Sequence, residues 1–157
     1  MASPLIGLHA FLGELGIASF LWVFLETLNP EKHRIKRAKI AALIGVVFLF
    51  ASWFVGGYYY VAYYGPNVKP IIKEGPEPWA HGIFMEAKEH IFLFLPLLAL
   101  LTYSLIINYE KFSDKNKKIR KSILWMCALI IIIGAIMAFM GYLISSSARA
   151  ALEAVGA

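Results

Sequence analysis

Four apolar runs, at about 5–28, 40–64, 83–108 and 122–145, leave this chain few ways to fold. Each is long enough to cross roughly 30 Å of hydrocarbon as a helix rising about 1.5 Å per residue. Of its 157 residues 60% are hydrophobic, against roughly 45–50% in soluble domains. The runs, their connections and the tails use nearly the whole length, with no room for a separate soluble domain. The expected architecture is all-α: an integral membrane four-helix bundle, one domain over 1–157, with an outer loop at 65–82.

The net charge of +5 brings nucleic acid to mind, but its placement argues against that partner. Lys32, Arg34, Lys36, Arg37 and Lys39 crowd the first connection. Lys111, Lys115, Lys117, Lys118, Arg120 and Lys121 crowd the third, while the middle one has only Lys69 and Lys73. Positive residues stay on the cytoplasmic side, so the first and third connections are expected inside and both termini outside. The basic clusters then meet anionic headgroups of the bilayer. The expected location is the cytoplasmic membrane, as a multi-pass protein. No basic residue precedes the first run, which is the charge order of an uncleaved span. The single Cys127 rules out an intrachain disulfide and reads as a buried thiol.

The first helix is expected to start after Ser3-Pro4 and to stop at Asn29-Pro30. Glu26 at its inner end lies close to the basic residues that follow. The second run ends with five tyrosines, Tyr58, Tyr59, Tyr60, Tyr63 and Tyr64, read as an interfacial aromatic belt. Pro66, Pro70, Pro76 and Pro78 make 65–82 read as a stiff, extended cover, either a lid or a plain connector. Pro96 is expected to kink the third helix or free a carbonyl. The fourth run is Ile-rich, with Gly134 and Gly141 for close contact, and the tail 148–154 continues as a short helix.

Ionisable residues inside these runs point to function, because they cost several kcal/mol in hydrocarbon. The first run holds His9 and Glu14; the third opens with Glu86, Glu89 and His90. Counted back from the inner helix ends, His9 and His90 lie at nearly one depth, roughly 27–29 Å from the cytoplasmic edge. Glu86 and His90 share a helical face, and Glu89 lies on the same side. Lys88 points the other way and snorkels outward. Glu14 is roughly 7 Å deeper than His9 and needs protonation or a partner. His81 belongs to the loop or interface and is the reserve ligand; His33 sits among the cytoplasmic basic residues.

Three chemistries compete. A b-type haem between the first and third helices would take His9 and His90 as axial ligands, with Glu14, Glu86 and Glu89 tuning its potential or handling linked protons. It would exchange electrons with quinol, an outer-face redox protein or neighbouring subunits. A non-haem transition metal (zinc, iron, manganese or copper) would draw on the same histidines and carboxylates. A cofactor-free Glu–His chain would relay protons or an ion. In a further reading the polar residues only fix packing in an accessory subunit, as a homo-oligomer or part of a larger membrane complex. The redox reading leads, with haem b as cofactor. The layout is similar to four-helix membrane cytochromes b in architecture alone, which does not establish function. Hydrolase or transferase chemistry has no motif: Ser145-Ser146-Ser147 lacks a nearby base, and no phosphate-binding glycine loop occurs.

Overall fold

The structure, a computed structural model, describes residues 4–109 and 117–156; among them it is all-helical, with no strand. Helix α1 spans Pro4–Leu28, starting at a proline and stopping ahead of Asn29-Pro30. Helix α2 (Lys32–Tyr59) runs into a π-helical segment, Tyr60–Val68, and then into α3 (Lys69–Glu74). A second π-helical segment, Ala80–Met85, leads to α4 (Glu86–Ile91), followed by α5 (Phe94–Ile107) and α6 (Lys117–Gly156). Four stretches are long and apolar enough to cross a membrane: Pro4–Leu28, Lys32–Glu74, Ala80–Ile107 and Lys117–Ala154.

The connection at 65–82 is mostly helical, which corrects the expectation of an extended cover. The wide turn of a π-helix takes Pro66, whose ring and missing N–H would break a regular α-helix. Pro70 sits in the first turn of α3, where no N–H is needed. Only the stretch around Gly75–Trp79 is irregular, and it turns the chain back. A Cβ on Gly75 would lie 2.6 Å from the Ala151 Cβ, so the turn is glycine because α6 passes this close. Ser147 Oγ donates to Glu77 at 2.5 Å and ties the same turn to α6.

The basic clusters also differ from expectation. Lys32–Lys39 form the first turns of α2, and Lys117, Lys118, Arg120 and Lys121 the first turns of α6. Cations at helix N-termini oppose the helix dipole, so helix stability is not what selects them. Lys111 and Lys115 lie outside the described residues.

Pro96 has no N–H for the Phe92 carbonyl, and the third membrane-length stretch breaks at Phe92–Leu93, between α4 and α5. The interruption that Pro96 leads one to expect is present as this two-residue turn.

Helix α1 packs on α2 and α6, and α5 packs on α2 and α6, so α1 and α5 are diagonal across the bundle. The main core joins Phe20 and Val23 of α1, Ala38, Ala41 and Ala42 of α2, Ala99 and Ile106 of α5, and Ile123, Cys127 and Ile130 of α6. Helices α1 and α2 approach closely because Gly45 leaves room for the Phe20 ring, 2.6 Å from where a Cβ would sit. Gly134 likewise receives Ile17 of α1 on α6. At one end, which we call the basic end, Glu26 is buried under Arg37 Nε (2.7 Å) and Arg34 Nε (3.0 Å), and accepts from Trp22 Nε1 at 3.1 Å.

The opposite, terminal end holds the N-terminal turns of α1 and the C-terminal turns of α6. There α6, 40 residues or about 60 Å long, extends beyond the main core to pack on α3 and the second π segment. This makes a second core of Tyr64, Ile72, Ala80 and Ile144, with Tyr59, Tyr60, Val68 and Phe84 against it.

Candidate functional site

The two π-helical segments face each other in that second core, and each contributes a buried polar ring. π turns often mark functional positions because they re-aim side chains out of the regular helical register. Tyr64, on the first segment, is 1% exposed; His81, on the second, is also 1% exposed. The Tyr64 hydroxyl and His81 Nδ1 are 3.0 Å apart. Tyr60 stacks on Tyr64, with ring centroids 5.4 Å apart and planes at 23°. The Tyr59 ring is tilted against Tyr64 at 49°, with centroids 6.4 Å apart. The Glu89 side chain lies near Tyr60.

Two buried polar atoms of this cluster have no hydrogen-bond partner: His81 Nε2 and Glu89 Oε1. Leaving such an atom bare costs roughly 1–3 kcal/mol, more if charged. Chemically, both atoms could bond a water or a polar ligand.

The tyrosines are thus more than an interfacial belt. Tyr58 is 65% exposed and fits the belt, while Tyr64 turns inward. His81 is not a loop residue but the most buried histidine, since Ala80–Met85 is helical. Sequence reasoning missed the Tyr60–Tyr64–His81–Glu89 grouping, because it depends on two π segments that shift the side-chain phase. The tyrosine run was the available signal.

The other candidates lie apart from it. His9 is half-buried against α2: its Nδ1 donates to the Ser52 carbonyl at 2.8 Å, and Ser52 Oγ donates to the His9 carbonyl at 2.8 Å. Its ring fills the space above Gly56, where a Cβ would lie 2.5 Å from Nδ1. His90 is exposed, with Nδ1 donating to the Glu86 carbonyl at 2.6 Å. It borders an apolar groove of about 410 Å³ with Phe94, Ile133, Met137 and Met140. Glu86 is exposed. Glu14 is exposed and has no hydrogen bond or ion pair among the described residues. Lys88 does not snorkel outward: its ammonium faces Gly141, 3.1 Å from where a Cβ would sit, and acts on the charge of His9.

This arrangement bears on the haem expectation. A backbone carbonyl only accepts, so in both His9 and His90 the Nδ1 carries the proton and Nε2 is left as a lone pair, the tautomer of an axial ligand. His9 is seated on Ser52 of α2, while His90, on α4, borders the groove with Phe94 and Ile133. Among the described residues no hydrogen bond joins the two rings. Nor do three or more His, Cys, Asp or Glu side chains converge as a metal site among the described residues.

Comparison with known protein families, curated proteins and solved structures finds no match for this chain, so a functional reading rests on these side chains.

Proposed function

We propose that this chain is a multi-pass protein of the cytoplasmic membrane, with its basic end inside and both termini outside, that handles protons at the outer face as a subunit of a redox-linked membrane assembly. The observation that carries the reading is a buried cluster in which His81 meets the Tyr64 hydroxyl and Tyr60 stacks on Tyr64, with His81 Nε2 and Glu89 Oε1 buried and unpartnered. Imidazole, phenol and carboxylate are groups that pass protons over short hydrogen bonds, and inside a membrane protein such chains mark proton-handling sites. The core towards the basic end is Phe20, Ala42, Ala99, Ile123 and Ile130. Among the described residues, the buried hydroxyls of Ser19, Thr27 and Thr102 there donate to carbonyls of their own helices, so in this reading exchange is with one side only. Protons taken up or released there would accompany oxidation or reduction of a quinol or an outer-face redox partner.

The test is infrared spectroscopy of the protein in sealed vesicles of known orientation. The carboxyl band of Glu89, identified by its loss in Glu89→Gln, should respond to a pH jump outside and not to one inside. His81→Phe should slow or abolish that response. A band that follows internal pH, or no response to either, removes the reading.

A second reading keeps haem b as a redox cofactor, supported by the Nδ1 bonds of His9 and His90. A dithionite-reduced minus oxidised visible spectrum decides it. Sharp reduced bands with a strong Soret band establish haem; a colourless protein expressed with adequate haem excludes it.

A further inference from the structure

On α1 the outward face is a stripe of Gly7, Phe11, Glu14, Ala18, Leu21 and Leu25, all exposed. Its one ionisable group, Glu14, is 10 residues from Pro4 and 14 from Leu28, so roughly 15 Å and 21 Å from the helix ends. If α1 spans the bilayer, that is the middle of the hydrocarbon. Lipid tails offer no hydrogen-bond partner, and among the described residues Glu14 has none either. A carboxyl placed there is covered by protein or carries a large desolvation cost.

We infer that the outward face of α1 is the contact between two copies of this chain, paired through Glu14. The inference rests on the membrane-spanning reading. A neutral carboxyl has one donor and one acceptor, so two of them close a cyclic pair that satisfies both. An isologous interface sets a residue on the two-fold axis against itself, which is the geometry such a pair requires. Small residues flank it on the same stripe: Ala18 one turn further on and Gly7 two turns before. A Cβ at Gly7 would meet nothing within 4 Å, so the helix backbone is open to a neighbour there. Small residues beside a polar one are what transmembrane helices use to approach and hydrogen-bond. Phe11, 57% exposed, and Leu21, 46% exposed, supply apolar contact on either side.

The test uses the full chain reconstituted in lipid vesicles. Association is measured by energy transfer between two labelled pools as the protein-to-lipid ratio falls. Wild type should dimerise, Glu14→Gln should dimerise comparably, and Glu14→Leu should weaken association about tenfold, the worth of a strong interhelical hydrogen bond. Ala18→Phe, which obstructs the approach without touching Glu14, should weaken it as well. In a Cys127→Ser background, Ala18→Cys should form an intermolecular disulfide under mild oxidation and Ile136→Cys, on an exposed face of α6, should not.

Equal association of Glu14→Leu and wild type overturns the inference. So does a monomeric wild type, which leaves the face to a different protein bearing a cation or donor. Crosslinking through Ile136→Cys alone overturns it too. Alkaline carbonate extraction separates the two levels: a chain stripped from the membrane defeats the spanning reading, whereas an embedded monomer defeats only the pairing.

Discussion

The Tyr64 hydroxyl lies 3.0 Å from His81 Nδ1, across 17 residues of sequence and between two π-helical segments. It is the one hydrogen bond that ties the first segment's buried ring to the second's, and it leaves His81 Nε2 as the open end of the cluster. Its energetic weight is measurable. Tyr64→Phe keeps the ring stack and strands both imidazole nitrogens, so it should cost about 1–3 kcal/mol in detergent-solubilised protein. His81→Leu alone leaves the phenol bare. The double variant removes both partners and should be less harmful than the sum of the singles, with a coupling of about 0.5–3 kcal/mol. Additive losses would mean that the two groups do not interact.

Gly56 and Gly57 are neighbours with opposite surroundings. A Cβ at Gly56 would sit 2.5 Å from His9 Nδ1, while one at Gly57 would meet nothing within 4 Å. Gly56→Ala should push the His9 ring off Ser52 and lower stability by about 1–3 kcal/mol, as overpacking does. Gly57→Ala should be neutral or stabilising by up to about 1 kcal/mol from helix propensity. Thermal unfolding of the two variants side by side checks the contrast; equal behaviour would show that His9 is not seated against α2.

Glu26 holds Arg34 and Arg37 at the basic end, and Arg34 also reaches the Leu25 carbonyl near the end of α1. Glu26→Gln keeps size and some hydrogen bonding but leaves two guanidinium groups without their countercharge. We expect a lower melting temperature, partly recovered by adding Arg37→Gln. A double variant worse than Glu26→Gln alone would show that Arg37 has other work.

The sidedness has its own check. With Cys127 replaced by Ser, Lys73→Cys near the terminal end and Lys117→Cys at the basic end are labelled in intact cells by a membrane-impermeant maleimide. Labelling of Lys73→Cys only is the expected outcome. Labelling of Lys117→Cys only would invert the topology.

Hydropathy was enough for the number of membrane-length helices, because an apolar run of that length has one economical conformation in lipid. Local rules also gave the stop of α1 before Asn29-Pro30, the break ahead of Pro96 and the buried Cys127. The connection at 65–82 misled because four prolines normally argue against helix, and nothing local announces that a π turn will absorb one of them. Lys88 misled for a related reason. Its long side chain has several rotamers, and the space beside Gly141 that draws it inward belongs to a different helix.

Which helices carry His9, Glu14, Glu89 and His90 was readable from residue order and the helical period. Which of them meet was not. That depends on the ring order of the bundle, in which α1 and α5 are diagonal, and on the phase shift that two π segments impose on every side chain around them. A histidine's partner is a property of what stands across from it: Ser52 for His9, Tyr64 for His81, its own helix for His90. Period and hydropathy are properties of a segment alone, so they settle the spans, while the pairing of polar groups is settled only when the helices pack.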